Sequence, residues 1–139
     1  GVTKVSLDEL LRSSDVVSIH TPLNENTHHL INSENLKLLK QSSVIINAAR
    51  GGIINEIDLD RALNENLIFG AGLDVFDIEP TPSSNPLFKL KNVILSPHIA
   101  GVTVESTVRM ATETVQNVLD VFDNKINQSV VVNNKEIGM

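Results

Sequence analysis

Four short apolar runs, each ending in a cluster of polar residues, constrain the fold of this chain most strongly. The clusters are HTP (20–22), NAARGG (47–52), LDVFDIEP (73–80) and SPHIAG (96–101). Helical or turn-rich segments separate the runs, and strands that alternate with helices indicate βαβ units in a parallel sheet. The four polar clusters would then open at the carboxyl edge of one sheet, where open α/β sheets bind ligands.

The local pattern predicts where the strands and helices lie. Residues 44–49 are nearly all apolar, which is typical of a strand covered on both faces. Ser6 and Glu9 form an S-x-x-E capping box that opens a helix whose apolar side carries Leu7, Leu10 and Leu11. The other predicted strands are 15–20, 70–75 and 93–96. The other predicted helices are 33–40, 55–66 and 103–122. Leu36 and Leu39 would face inward from the helix at 33–40, and Asn55 would cap the helix at 55–66.

These elements predict an α/β fold, namely the second half of a doubly wound parallel sheet plus a long C-terminal helix. A G-x-G-x-x-G turn after a first strand is absent, and Gly70-Ala-Gly72 does not replace it because it begins a strand. The strand at 15–20 would also expose an apolar, unpaired edge, which natural proteins avoid. We therefore expect residue 1 to be an internal point of a longer polypeptide, with about 150 to 200 residues before it.

Composition narrows the class of protein. The 139 residues carry a net charge of −6, which argues against nucleic acid or an anionic membrane as a partner. Cysteine is absent, which suits a reducing cytoplasm, and no apolar run approaches the roughly 20 residues of a membrane span. We expect a cytoplasmic protein.

Arg50 lies immediately after the second apolar run. Its guanidinium is a planar fork of donors that suits a carboxylate or a keto acid, and Gly51 and Gly52 allow the backbone to turn sharply beside a ligand. The alternative is that Arg50 makes a structural salt bridge.

Three further polar residues follow the third and fourth runs. His98 can exchange a proton near neutral pH, and a glutamate such as Glu79 bonded to its other ring nitrogen would fix the tautomer and raise the histidine pKa. The alternatives are an ordinary loop histidine and a surface carboxylate. Asp74 ends an apolar strand, where a charge needs a partner, and a helix N-terminus or a ligand amide could be that partner.

The ordered combination of ARGG, LDVF-x-x-EP and PHIAG closely resembles the D-isomer-specific 2-hydroxyacid dehydrogenases. This group includes phosphoglycerate, glyoxylate/hydroxypyruvate and D-lactate dehydrogenases. The resemblance covers DVVSIHTPLNENT (15–27), LINSENLKLLKQSSVIINAARGGIINEIDLDRAL (30–63), GAGLDVFDIEP (70–80) and NVILSPHIAGVT (92–103). It implies the second half of a Rossmann domain, here residues 1–102 as a partial NAD(P)-binding domain, 103–123 as a linking helix and 124–139 as a polar tail.

The resemblance also implies roles for individual residues. Arg50 would orient the substrate carboxylate and carbonyl, His98 would give or take the proton, and Glu79 would pair with His98. Asp74 would bind the nicotinamide carboxamide. The other cofactor-binding residues would be His20, Thr21, Pro22, Ala49, Arg50, His98 and Gly101.

The resemblance leaves several properties open. The glycine fingerprint and the ribose-binding acid are absent, so the cofactor is NAD or NADP. Formate dehydrogenases of the same fold carry Gln where Glu79 stands, which argues against that branch. His28-His29 stands where many relatives carry Arg-Gly, and we expect a loop feature and no metal site there, because no third ligand is evident.

Three functions are therefore compatible with the sequence. The first is part of a dehydrogenase that acts on a small 2-hydroxy or 2-keto acid of the 3-phosphoglycerate, glyoxylate or hydroxypyruvate type. Such a chain would be inactive without its N-terminal part, and the intact protein would be a homodimer through the cofactor domain. The second is a nucleotide-sensing binding module, as in the co-repressors of this family. The third is a non-catalytic fragment that self-associates through its exposed edge.

Overall fold

The computed structural model describes residues 1–133 and 136, and it divides into two compact units, Gly1–Ala100 and a second unit that begins at Gly101. The first unit holds a parallel sheet of four strands in the order β1-β2-β3-β4. The α/β prediction of parallel strands separated by helices is confirmed, with each strand slightly shorter than predicted. The strands are β1 (Val16–Ile19), β2 (Val44–Asn47), β3 (Gly70–Leu73) and β4 (Val93–Leu95).

Three helices of the first unit begin at side chains that cap them. They are α1 (Leu7–Ser13), α2 (Ser33–Leu36) and α3 (Glu56–Asn64), with Ser6, Asn32 and Asn55 as the respective N-caps. The Ser6 hydroxyl accepts a hydrogen bond from the Glu9 amide, which is one of the two bonds of the predicted capping box. The helix predicted over 33–40 ends after one turn, although Leu36 and Leu39 are both buried as expected. The proline-rich segment after β3 forms a 3₁₀ turn, Pro86–Lys89.

The helices of the first unit cover one face of the sheet only. On that face Val17, Ile45 and Ala71 are paired across the first three strands and are buried with the apolar residues of α2 and α3. On the opposite face Ile46 is 36% exposed and Ile94 is 79% exposed. The prediction that 44–49 is covered on both faces is therefore wrong for this structure, because consecutive strands lie side by side and right-handed crossovers place all connecting helices on the same side.

The first helix is also less buried than predicted. Leu11 is fully buried, but Leu7 and Leu10 are both more than a third exposed. Helix α1 as a whole therefore contributes a single leucine, Leu11, to the core of the first unit.

The second unit consists of a long helix and a short turn. Helix α4 (Val104–Phe122) begins at Thr103, whose hydroxyl accepts from the Ser106 amide while the Ser106 hydroxyl accepts from the Thr103 amide. The helical spacing predicted from Thr103 is confirmed, and no residue of α4 is buried. A 3₁₀ turn follows at Gln128–Val130, and residues 134, 135 and 137–139 of the predicted polar tail lie outside the described residues. Within the described part of the chain, no helix is both long and apolar enough to cross a membrane.

Candidate active site

The predicted site residues of the first unit lie in loops that follow the four strands. Two clefts open there. One, of about 650 Å³, is lined by Glu79 and His98 together with apolar residues that include Phe76 and Phe88. The other, of about 570 Å³, is lined by His20, Thr21, Pro22, Leu23, Ala48, Ala49 and Arg50. Gly101 belongs to the second unit, so its predicted cofactor contact stays a prediction.

Glu79 and His98 form a direct pair. His98 Nδ1 lies 2.7 Å from Glu79 Oε2, and the other carboxylate oxygen, Oε1, accepts a hydrogen bond of 2.9 Å from the Phe76 amide. The bond to His98, followed by the Phe76 amide, lowers the pKa of Glu79 below its ordinary value. Because an ionised carboxylate can only accept, Nδ1 must carry a proton. In the neutral imidazole, Nε2 is then the basic nitrogen, and no group of the described residues bonds it.

The backbone at His98 has a left-handed conformation, with φ of 55°. A residue other than glycine keeps this conformation only where the surrounding structure enforces it. Here the next two backbone amides, those of Ile99 and Ala100, both donate to the carboxylate of Asp74, at 2.9 and 2.8 Å. Asp74 therefore fixes the loop that presents the His98 side chain.

Asp74 is buried, and three donors of the first unit bond its carboxylate. They are the Ser96 hydroxyl, at 2.5 Å from Oδ1, and the two loop amides, and none of them belongs to a helix N-terminus. The predicted bond to a ligand amide stays a prediction. Burial acts to raise the pKa of Asp74, but the hydrogen bonds from Ser96, Ala100 and Ile99 outweigh it, so the pKa lies below its ordinary value. Two donors occupy Oδ1 and one occupies Oδ2, which leaves Oδ2 able to accept one more hydrogen bond.

Arg50 follows β2 in a turn held by a buried side chain. Asn47 accepts from the Ala49 amide at 3.0 Å and donates to the Arg50 carbonyl at 2.9 Å. The Arg50 guanidinium donates from Nη1 to the Ala49 carbonyl at 2.6 Å. None of the four ion pairs within the described residues involves Arg50, so the structural salt bridge considered as an alternative is not present.

The glycines after Arg50 serve close packing as well as turning. A Cβ at Gly51 would lie 1.8 Å from the carbonyl oxygen of Phe76, so only glycine fits between the two loops. Gly52 has φ of 76°, a left-handed conformation that glycine adopts readily.

The three histidines between β1 and β2 each contact a neighbouring side chain. Ser18 Oγ lies 2.8 Å from His20 Nε2 and orients that ring beside Thr21 and Pro22. His28 and His29 stack on each other with ring centroids 3.8 Å apart. Across the described ranges, no group of three or more His, Cys, Asp or Glu side chains is placed to hold a metal ion.

Sequence reasoning missed four residues that organise the site. Asn47 and Ser96 hold the loops of Arg50 and His98, while Asp77 and Glu56 bind backbone amides in and beside the Arg50 turn. A polar residue at the end of an apolar strand, as with Asn47 and Ser96, was a usable signal. Asp77 and Glu56 are ordinary acids in the sequence, and only the fold brings them to the loops.

The chain is similar to several known reductases and dehydrogenases. The glyoxylate reductase of Thermofilum pendens is 46% identical over 131 residues, which is 94% of this chain and 38% of the relative. A D-isomer specific 2-hydroxyacid dehydrogenase from Lactobacillus delbrueckii ssp. bulgaricus, solved in its NAD-complexed form, is 31% identical with a TM-score of 0.82 over 93% of this chain and 43% of its own. An acyclic imino acid reductase in complex with NADPH and D-Arg is 34% identical with a TM-score of 0.77 over 88% of this chain and 39% of its own.

The chain thus spans about two fifths of the length of the relatives it matches. The Rossmann-like arrangement of the sheet is shared with the solved dehydrogenases. A family model described as "D-isomer specific 2-hydroxyacid dehydrogenase, NAD binding domain" matches residues 1–100, which is most of the chain. On these grounds the chain belongs to the D-isomer specific 2-hydroxyacid dehydrogenases.

Proposed function

We propose that this chain supplies the catalytic residues of an NAD(P)-dependent oxidoreductase that interconverts a D-2-hydroxy acid and its 2-keto acid. One observation supports it most directly, the bond of 2.7 Å between His98 Nδ1 and Glu79 Oε2, which leaves Nε2 as the free nitrogen of an oriented imidazole. A histidine held in this way can transfer a proton to a carbonyl oxygen or from a hydroxyl.

The residues present fit a nicotinamide cofactor. Asp74 Oδ2 retains one acceptor position, which suits the amide nitrogen of a carboxamide, and the cleft beside Ala49 and Arg50 adjoins the same sheet edge. In this proposal His20, Thr21 and Pro22 extend the cofactor-binding surface of the first unit. When bound, the cofactor supplies the hydride chemistry, and the protein supplies position and charge.

The substrate would be held by Arg50 and protonated by His98. The guanidinium can bind the carboxylate and carbonyl oxygens of a keto acid with two parallel hydrogen bonds. During reduction His98 Nε2 gives its proton to the oxygen that becomes the hydroxyl, and during oxidation it takes that proton back. Glu79 stabilises the protonated ring of His98 before reduction and after oxidation.

The proposal extends to organisation and substrate size. A small keto acid such as glyoxylate is favoured by the name of the similar glyoxylate reductase from Thermofilum pendens. We propose residues 1–102 as the cofactor-binding part, 103–123 as a linking helix and 124–139 as a tail. Activity would need a glycine-rich half and a substrate domain in addition to these residues, and the complete protein would be a homodimer.

A hybrid protein tests the proposal. This chain would replace the matching segment of the Thermofilum pendens reductase, and oxidation of NADH and NADPH would be followed with glyoxylate, hydroxypyruvate and 3-phosphohydroxypyruvate. We expect turnover with at least one of them, and oxidation of D- but not L-hydroxy acids. The unaltered reductase is the control. A folded hybrid that binds cofactor without any turnover would contradict the proposal and favour a nucleotide-sensing module.

A further inference from the structure

The proposed chemistry requires Arg50 and the Glu79–His98 pair to keep a constant separation, yet they stand on different loops. The paired residues of β2 and β3 end at Asn47 and Leu73. One more backbone bond follows, from the Asp74 amide to the Asn47 carbonyl at 3.0 Å. Beyond that point the sheet no longer sets the distance between the Arg50 turn and the segment that leads to Glu79.

Direct contacts between the two loops take over from the sheet. The carboxylate of Asp77 accepts a hydrogen bond from the Gly52 amide, with 2.7 Å between Asp77 Oδ1 and the nitrogen. Gly51 lies against the Phe76 carbonyl so closely that no side chain fits. The Arg50 turn is therefore joined to residues 76 and 77, two to three positions before Glu79.

Residues 76 and 77 are themselves fixed by two glutamates. The Phe76 amide donates to Glu79 Oε1 at 2.9 Å, and the Asp77 amide donates to Glu56 Oε1 at 2.7 Å. The second oxygen of Glu56 accepts from the side chain of Asn85 at 2.8 Å, and Asn85 is buried. Glu56 is the first residue of α3, so it anchors the turn to the helical layer.

We propose that Asp77, supported by Glu56, is a positioning residue that sets the place of Arg50 relative to the Glu79–His98 pair. The proposal rests on the proposed function for its kinetic consequence, but its structural content stands by itself. The Asp77 carboxylate accepts from the Gly52 amide, and the Asp77 amide donates to the Glu56 carboxylate. Within the described residues, Asp77 bonds neither the Arg50 guanidinium nor the Glu79–His98 pair, so it acts through the Arg50 turn and does not take part in the reaction. A charge-neutral acceptor of the same shape should serve equally well.

Two variants of Asp77 separate position from charge. Asp77→Ala removes the acceptor and frees the Gly52 amide, whereas Asp77→Asn keeps an oxygen at the same place. In the hybrid reductase we expect Asp77→Ala to raise the KM for the keto acid about tenfold, the effect of losing one hydrogen bond of ordinary strength. The cofactor KM and the pH–rate profile should not move, because the Glu79–His98 pair is intact.

Asp77→Asn should keep the keto-acid KM within about twofold of the parent, an effect smaller than one ordinary hydrogen bond. Asp60→Ala is the matched control, since Asp60 lies on α3 and, in the part of the chain that the structure describes, its carboxylate bonds only Asn64. The proposal is overturned if Asp77→Ala behaves like Asp60→Ala. It is equally overturned if Asp77→Asn is as impaired as Asp77→Ala, since charge would then be the cause.

A measurement on the 139-residue chain makes the proposal independent of turnover. Hydrogen exchange of the Gly52 amide, followed by NMR, should accelerate at least tenfold in Asp77→Ala and stay near the parent rate in Asp77→Asn. Unchanged exchange in Asp77→Ala would overturn the positioning role. An inactive hybrid with accelerated exchange would instead contradict the proposed function and leave the positioning contact supported.

Discussion

The two halves of the candidate site differ in how firmly their side chains are held. On the β3–β4 side, both oxygens of Glu79, Nδ1 of His98 and both oxygens of Asp74 bond protein groups. On the β2 side, the backbone of the Arg50 turn is fixed, but among the described residues the guanidinium makes a single bond, to the carbonyl of the preceding residue. The proposed proton-transfer group is ordered before a ligand arrives, and the proposed anion-binding group keeps most of its donors free.

This difference suits the two tasks. Proton transfer needs one tautomer and one direction, which hydrogen bonds from the protein can set in advance. Recognition of a carboxylate needs unoccupied donors, and a guanidinium already engaged in a salt bridge would have to give it up. The comparison leads to predictions for three substitutions in the hybrid reductase and the chain, in decreasing order of effect.

Replacing the ordered proton-transfer group should have the largest effect. We expect His98→Gln to lower kcat by a factor of about 10² to 10⁴, the usual contribution of a positioned acid or base. Cofactor affinity, measured by fluorescence titration, should change little. His28→Gln replaces an exposed histidine and serves as the control. Equal losses in both variants would mean that His98 has no special role.

Replacing the free guanidinium should have an intermediate effect. We expect Arg50→Lys to lower kcat/KM for the keto acid by roughly 10- to 100-fold, because an ammonium cannot form two parallel hydrogen bonds and each charged bond contributes about 1.5–3 kcal/mol. The fold should be unaffected, since Arg50 has no ion pair to lose. Arg61→Lys, on the exposed side of α3, is the control. Full activity of Arg50→Lys would show that a point charge suffices.

The smallest effect concerns acid stability. The folded state holds the pKa of Glu79 below its ordinary value of 4.5, so the unfolded chain takes up a proton first as the pH falls. The stability from Glu79 is thus present above about pH 4.5 and lost as the pH falls through the lower, folded-state pKa. Urea midpoints of the chain between pH 6 and pH 3 should fall less steeply in Glu79→Gln. A parallel pH dependence would exclude this linkage.

The same substitution also sharpens the comparison kinetically. Oxidation of a hydroxy acid needs a neutral imidazole, and loss of the Glu79 charge removes the counter-charge of the protonated form. The acidic limb of the pH–rate profile for oxidation should therefore move to lower pH in Glu79→Gln. An unmoved limb would show that the pairing seen at 2.7 Å does not govern proton transfer.

The positions of the strands and helices along the chain were predictable because they follow from local patterns. The apolar runs, the caps at Ser6 and Asn55, and the helical spacing after Thr103 each depend on neighbouring residues alone. The exposure of Ile46 was not predictable in this way. An apolar strand is the same in sequence whether one or both of its faces are covered, and only the order of the strands decides it.

The site shows the same division. The sequence motifs predicted Arg50, Glu79 and His98 as site residues, and the fold brings Glu79 and His98 together. The partners of Asp74 could not be predicted, because the Ile99 and Ala100 amides reach it only through the left-handed turn at His98. Asp77 and Glu56 were unpredictable for a similar reason, since a carboxylate that accepts from a distant backbone amide has no signature of its own.

The left-handed backbone at His98 affects how any mutational scan of this site has to be interpreted. A β-branched replacement there would combine two losses, the imidazole and the ability to hold the turn, and a single activity assay could not separate them. Asparagine tolerates this conformation better than most residues. A comparison of His98→Asn with His98→Val would measure how much of the apparent chemical contribution is conformational.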